Sequence, residues 1–248
     1  MADRELFNRS ELLLGRDVTD ALARTKVIIF GVGGVGSWCA EGLVRSGVGN
    51  ITLVDPDVVG ATNVNRQLMA TTKTIGKVKA EALRERLLEI NPDANIVAVR
   101  EAYNEETVGE FDLDEYDYVI DSMDSLKDKI LLILTASRSK ATFFCSMGAA
   151  LKVDPTKVSV AEFWQVRGCP LGAAIRKKMK RAKTLPEKEF LCVYDDEVLE
   201  NRGDASLQGV EDDPRKACIN GSLAHVTSIF GMTLAGLVVK DVYYKTVK

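Results

Sequence analysis

Histidine is almost missing from this 248-residue chain; His225 is the only one. A lone histidine on a helix is more often packed than catalytic. With no second one to act as a base, Cys218 has no obvious activator as a nucleophile. Cysteine pairs are missing too. The five cysteines (Cys39, Cys145, Cys169, Cys192 and Cys218) are odd in number, widely spaced and contain no CxxC, which excludes a disulfide framework and a tetrathiolate zinc site. No apolar run is long enough to span a bilayer. Residues 223–239 are interrupted by His225, Thr227, Ser228 and Thr233 and fall short of the roughly 20 residues required. They read as a buried C-terminal helix, with peripheral membrane contact as the second reading. The N-terminal MADRELFNRSELLLG lacks the apolar core of a signal peptide, so the expected compartment is the cytoplasm. An excess of positive charge is also lacking. At a formal net charge of −3 the chain is no general polyanion binder, and any nucleic-acid contact must come from a local basic patch.

What is present is concentrated in residues 26–55, KVIIFGVGGVGSWCAEGLVRSGVGNITLVD. A β-branched run passes into a glycine-rich turn, then an amphipathic segment, then a second apolar run that ends in an acid. This reads as strand, glycine turn, helix, strand. In a nucleotide-binding βαβ unit such glycines allow a tight turn, close approach of phosphate and close helix–strand packing, and phosphate sits on exposed N–H groups at the helix start. Gly31, Gly33, Gly34 and Gly36 are therefore candidate phosphate-binding positions, and Asp55 is placed for a ribose hydroxyl pair. The alternative is a turn that merely packs a helix on a sheet.

The polar segment Thr62-Asn63-Val64-Asn65-Arg66-Gln67 follows the second strand, at the edge where doubly wound sheets bind ligands. An amide and a guanidinium there suit phosphate oxygens. A helix is expected over residues 75–90, with Lys77 and Lys79 in its first turns. The macrodipole disfavours cations at that end, a conflict that bound polyphosphate would remove. Further strands are expected over residues 95–100, 116–121 and 141–146, with a helix over residues 125–137 between the last two. Asp124, just past a strand end, is a candidate Mg²⁺ ligand; its other role would be to cap the next helix, which Ser122 or Ser125 could do instead. Strand–helix alternation implies an α/β fold with a doubly wound, mainly parallel, Rossmann-like sheet. The 46% hydrophobic and 28% charged content fits one soluble domain, with a nucleotide-binding core over residues 20–150 and a smaller antiparallel and helical part over residues 151–248.

That second part begins with an expected antiparallel strand over residues 158–163. A basic run follows: Arg176, Lys177, Lys178, Lys180, Arg181 and Lys183. It reads either as a solvated helix face or as a contact for an RNA backbone. Residues 187–213 read as acidic loop. Arg9, ahead of the sheet in an Asn-Arg-Ser setting, reads as a surface charge.

GVGGVG (31–36), LVDPD (53–57), NVNRQ (63–67), GKVKAE (76–81) and DSMD (121–124), in this order and spacing, resemble the ubiquitin-activating-enzyme-like superfamily of the ThiF/MoeB/HesA type, over about the first 150 residues. The resemblance implies Mg-ATP binding and adenylation of a carboxylate. By motif, the glycine loop would cradle ATP, Asp55 would hold the ribose, and Asn63, Arg66 and Lys79 would contact phosphates, with Mg²⁺ on Asp124. Arg9 matches an arginine that reaches ATP from a partner subunit, which implies a homodimer. Members that activate a ubiquitin-like sulfur carrier generally have two CxxC pairs, absent here. CPLGAAIRKKMKR (169–181) and RKACINGSLAHVTSIFG (215–231) are instead similar to the tRNA threonylcarbamoyladenosine dehydratases. That branch would adenylate the threonyl carboxylate and close a ring with loss of water. The basic run then becomes a tRNA contact and Cys218 a contact for a sulfur-transfer partner. Related members also bind a monovalent cation, which no motif here places. A nicotinamide dehydrogenase, permitted by the glycine loop alone, lacks any recognisable hydride-transfer site.

Overall fold

The β-branched run forms β1, Lys26–Phe30, the central strand of the sheet. The computed structural model describes residues 4–203 and 220–248. From Val27 onward β1 is buried on both faces, Val27 and Ile29 facing one core and Ile28 and Phe30 the other, as a period of two requires. The other strands are β2 (Asn50–Val54), β3 (Asn95–Val99), β4 (Tyr118–Asp121), β5 (Thr142–Ser146), β6 (Ser159–Glu162) and β7 (Leu191–Tyr194). Their order is β3-β2-β1-β4-β5-β7-β6, parallel except for the antiparallel β6–β7 pair.

Helices cover both faces. On one side lie α2 (Arg16–Arg24), α3 (Gly36–Arg45), α4 (Lys79–Ile90) and α7 (Ala224–Thr246); on the other lie α5 (Leu126–Ala136) and α6 (Pro170–Ala182). A short α1, Asn8–Leu14, precedes α2 with Gly15 between them at φ 85°. Against the expectation that no stretch is long enough to span a bilayer, the 23-residue α7 could cross one by length and composition, yet Val226, Phe230, Leu234, Ala235, Val238 and Val242 are buried, several of them in the core shared with α3. Its approach to α3 is close: a Cβ on Gly231 would lie 2.5 Å from Val35 O, and one on Gly42 2.9 Å from Ala235 Cβ.

Two further expectations need correction. The helix expected from residue 75 begins at Lys79, because Gly76 takes φ 88° and Val78 is extended and bridged to Val58. Residues 187–213 are not all loop: β7 lies there, parallel to β5, with Cys192 and Val193 buried. Four residues are too few to show a periodicity. The basic run does lie on a helix, α6, which Ile175 and Met179 anchor to the core one turn apart.

Candidate nucleotide site at the C-terminal edge of the sheet

The glycine loop is defined by close approaches. Gly31 has φ 82°, and a Cβ there would lie 3.0 Å from Ser122 O; a Cβ on Gly36 would lie 2.0 Å from Gly31 O. Ser122 Oγ donates to Gly31 O at 2.6 Å, so the loop after β4 is bonded to the loop after β1. Between the two constrained glycines the N–H groups of Gly33, Gly34 and Val35 have no backbone acceptor among the described residues. Three such donors before the first turn of α3 make a site for an anion.

Asp55 does more than await a ribose. Its Oδ2 accepts from Val32 N–H at 2.8 Å and its Oδ1 from Asp57 N–H at 3.0 Å, so it pins the glycine loop. Burial pushes its carboxyl up, and the charge of Lys79 and the two N–H bonds pull it back. Lys79 is the first residue of α4 and is itself buried, its Nζ 2.8 Å from Asp57 Oδ2. The macrodipole conflict is therefore met by a carboxylate of the protein. Lys77 pairs with Glu85 at 2.8 Å, away from this group.

Asn63 accepts from Gly60 N–H through Oδ1 at 3.0 Å, and its carbonyl accepts from the N–H groups of Arg66 and Gln67. Arg66 donates to Thr62 O at 2.9 Å and Asn65 Oδ1 at 3.0 Å. A Cβ on Gly34 would lie 3.4 Å from Arg66 Cγ and 3.3 Å from Thr227 Cβ. Asn65 Nδ2 donates to Ser222 O at 2.9 Å, so the start of α7 closes one side of the loop. Gln67 is buried with its Oε1 unpartnered, and its amide nitrogen is the nearest atom to a Cβ built on Gly33, at 3.8 Å. The unpaired donors fit phosphate oxygens and the buried unpaired acceptor fits a hydroxyl or water donor, groups that a nucleoside triphosphate with its hydration brings together.

Asp124 is exposed in the loop after β4, and the helix-capping role belongs to Ser125, whose side chain accepts from Asp128 N–H. What positions this loop was not apparent in the sequence. Asp121 and Lys129 form a fully buried ion pair at 2.9 Å. Asp121 Oδ1 also accepts from Met123 N–H and Lys129 Nζ donates to Met123 O, both at 3.0 Å. The only sequence sign is an acid at a strand end and a lysine one turn into the next helix.

The glycine loop, Asp55, Asn63, Arg66, Lys79 and the Ser122–Asp124 loop thus share one edge of the sheet, while Arg9 is placed elsewhere. Phe7, two residues earlier, approaches Gly47, beyond the far end of a ten-residue α3 and so about 15 Å from the glycine loop. Arg9 is exposed, as are Leu12 and Leu13 at 81% and 82%. On α6, Lys177, Lys178, Lys180 and Arg181 are exposed, as is Lys183 just past its end, whereas Arg176 folds back to donate to Phe163 O at 3.0 Å. Lys180 sits 5.4 Å from the ring centre of Trp164. Cys218 lies outside the described residues, and among those described no three His, Cys, Asp or Glu side chains group as a metal site.

The ThiF family model matches residues 7–245. The tRNA threonylcarbamoyladenosine dehydratase of Bacillus subtilis is 37% identical over 250 residues, 98% of each chain. A crystal structure of the Escherichia coli tRNA N6-threonylcarbamoyladenosine dehydratase TcdA in complex with ATP superposes with a TM-score of 0.86 at 31% identity, covering 98% of this chain and 96% of that one. The E. coli molybdopterin-synthase adenylyltransferase is 34% identical over 130 residues, about half of each chain. A glycine loop, a pinned acid, an amide–arginine turn and a carboxylate loop on one sheet edge agree with that result: the chain belongs to the ThiF family.

Proposed function

We propose that the protein is an ATP-dependent tRNA threonylcarbamoyladenosine dehydratase. The observation that carries this reading is the end-to-end likeness to dehydratases, 98% of both chains for the B. subtilis protein, against half-length likeness to a carrier-activating adenylyltransferase. A threonyl carboxylate is ionised at neutral pH and needs no general base, so the single histidine is no obstacle. Attack of that carboxylate on the α-phosphorus gives an acyl-adenylate and pyrophosphate. The substrate's own carbamoyl group then attacks the activated carbonyl, closes a ring and expels AMP. Over the two steps one water is lost from the nucleoside.

The residues suit that chemistry through charge. The free N–H groups of the glycine loop receive phosphate oxygens, and Arg66 and Lys79 offset charge that builds on the leaving pyrophosphate. Asp57 holds Lys79 until the phosphates compete for it. Asp55 keeps the loop in shape and retains lone pairs for the ribose, and Asn63 sets the turn that presents Arg66. Asp124 would hold Mg²⁺, which neutralises the triphosphate when bound. Arg9, remote from its own chain's loop, would reach the site of a second copy in a homodimer, with Leu12 and Leu13 covered on pairing. The exposed cations of α6 would lie along the tRNA backbone, and the protein would work in the cytoplasm.

Incubation with Mg-ATP and tRNA bearing threonylcarbamoyladenosine, followed by nucleoside mass analysis, tests the reading. An ATP-dependent loss of 18 Da, the mass of water, is expected. An unchanged nucleoside alongside adenylation of a Gly-Gly-ended carrier protein overturns it.

A further inference from the structure

We infer that Arg100 is a nucleobase-binding residue, its guanidinium laid against the adenine ring of ATP. The inference rests on the ATP reading above and extends it to a residue that none of the family motifs contains. Three adjacent strands end side by side at the ligand edge, in the order β1, β2, β3, about 4.8 Å apart. The first carries the glycine loop and the second Asp55. Register pairs Val54 with Val99, and Asp55 N–H donates to Val99 O at 3.1 Å, so Arg100 stands directly beside Asp55. A nucleotide with its phosphates on the loop and its ribose on the acid must send its base onward from β2, towards the end of β3.

Arg100 is available there for a physical reason. Neighbouring carboxylates are already engaged: Asp57 with Lys79, and Glu101 with Ala102 N–H at 3.0 Å. Arg100 makes no ion pair among the described residues; its Nε reaches Pro56 O at 3.4 Å, which holds the side chain across the Asp55–Pro56–Asp57 turn. It is exposed. A planar, weakly hydrated cation lying over the place where a purine emerges is suited to stacking on its face.

Steady-state kinetics with the full-length protein tests this. Arg100→Ala should raise KM for ATP about five- to tenfold, the effect of losing one cation–ring stack, with kcat and KM for tRNA within about twofold. Arg100→Lys should recover only part of the loss, because an ammonium has no planar face. Inhibition by inorganic triphosphate should be the same in wild type and Arg100→Ala, since that ion does not extend past the ribose position. An unchanged KM for ATP in Arg100→Ala overturns the inference while the ATP reading stands. A rise in KM for tRNA alone, or a matching loss of triphosphate inhibition, also overturns it, reassigning Arg100 to the tRNA backbone or to the phosphates. Failure of the wild type to turn over ATP would instead overturn the reading on which the inference rests.

Discussion

Replacing Lys129 with methionine isolates the buried ion pair that shapes the Asp124 loop. The wild-type pair is 2.9 Å apart with neither side chain exposed. Burial pushes the Asp121 carboxyl up, and the Lys129 charge is the main force against it. Burial is the largest single effect on Lys129 and pulls it down, but the charge and hydrogen bond of Asp121 together with Cys145 and Cys192 leave the lysine above its ordinary value. In Lys129→Met the carboxyl has no counter-ion and must take up a proton. Taking an ordinary carboxyl near pKa 3.9 to its protonated form at pH 7 costs about 4 kcal/mol, at ~1.4 kcal/mol per unit. That is within the ~3–5 kcal/mol expected for breaking a buried pair by removing one partner. The folded variant then holds one proton more than the unfolded chain, so its deficit should shrink by about 1.4 kcal/mol for each unit of pH lowered between 7 and 5. Urea unfolding of wild type and variant at three pH values reads this difference. The wild type should also lose stability as pH rises above about 10.5, where only the folded chain keeps the Lys129 proton; the variant should lack that term. Adding Asp121→Asn to Lys129→Met should recover most of the loss. A deficit independent of pH, or none, refutes the argument.

Three other outcomes follow. Gly36→Ala places a methyl 2.0 Å from Gly31 O and 2.5 Å from Ser122 Oγ; isothermal titration should show at least a ~100-fold loss of ATP affinity, as the loop must open to relieve the contact, and retained affinity would remove the loop from the site. Arg9→Ala and Arg66→Ala should each be inactive while still folded by circular dichroism. Mixing the two under subunit exchange should restore about a quarter of wild-type turnover, since half the dimers are mixed and each has one intact site; no recovery means Arg9 does not act across subunits. Neutralising Lys177, Lys178, Lys180 and Arg181 together should weaken tRNA binding, flatten its salt dependence by about 0.7–0.9 log units per cation engaged and leave ATP binding unchanged. Unchanged tRNA affinity would make α6 a solvated face.

The nucleotide-binding half was legible because its signals are local. Residues 26–55 carry strand, turn, helix and acid in sequence, and each of those elements forms within a residue or two of its expected bounds. The start of α4 was misplaced because Ile75 and Val78 fit the helical stripe, whereas only the φ of Gly76 and the Val58–Val78 bridge forbid it, and the bridge is a long-range fact. β7 escaped for a similar reason: it is a strand because β5 and β6 flank it, and four residues alone do not say so. At the site, Asn63, Arg66 and Asp55 were visible as polar residues near strand ends. Their actual contacts were not. Asp55 as a pin for Val32 and Asp57 as the holder of Lys79 depend on pairs more than twenty residues apart, while Asp121–Lys129 as the brace of the Met123 backbone depends on burial that the local sequence does not show.

The contact between Thr227 and Gly34 also fixes an order of events. All seven strands among the described residues precede Ala224, so during synthesis the glycine loop exists before the helix that walls it. A nascent chain that has made its sheet still has an uncovered α3, and the stretch from Ser222 to Gly231 that touches Asn65, Gly34 and Val35 is not yet in place. Domains tend to fold as units as they emerge, and here the unit is complete only once α7 has docked. The ability to hold ATP is therefore acquired late in translation, and a chain stopped before residue 224 would carry every phosphate-binding motif without a finished site.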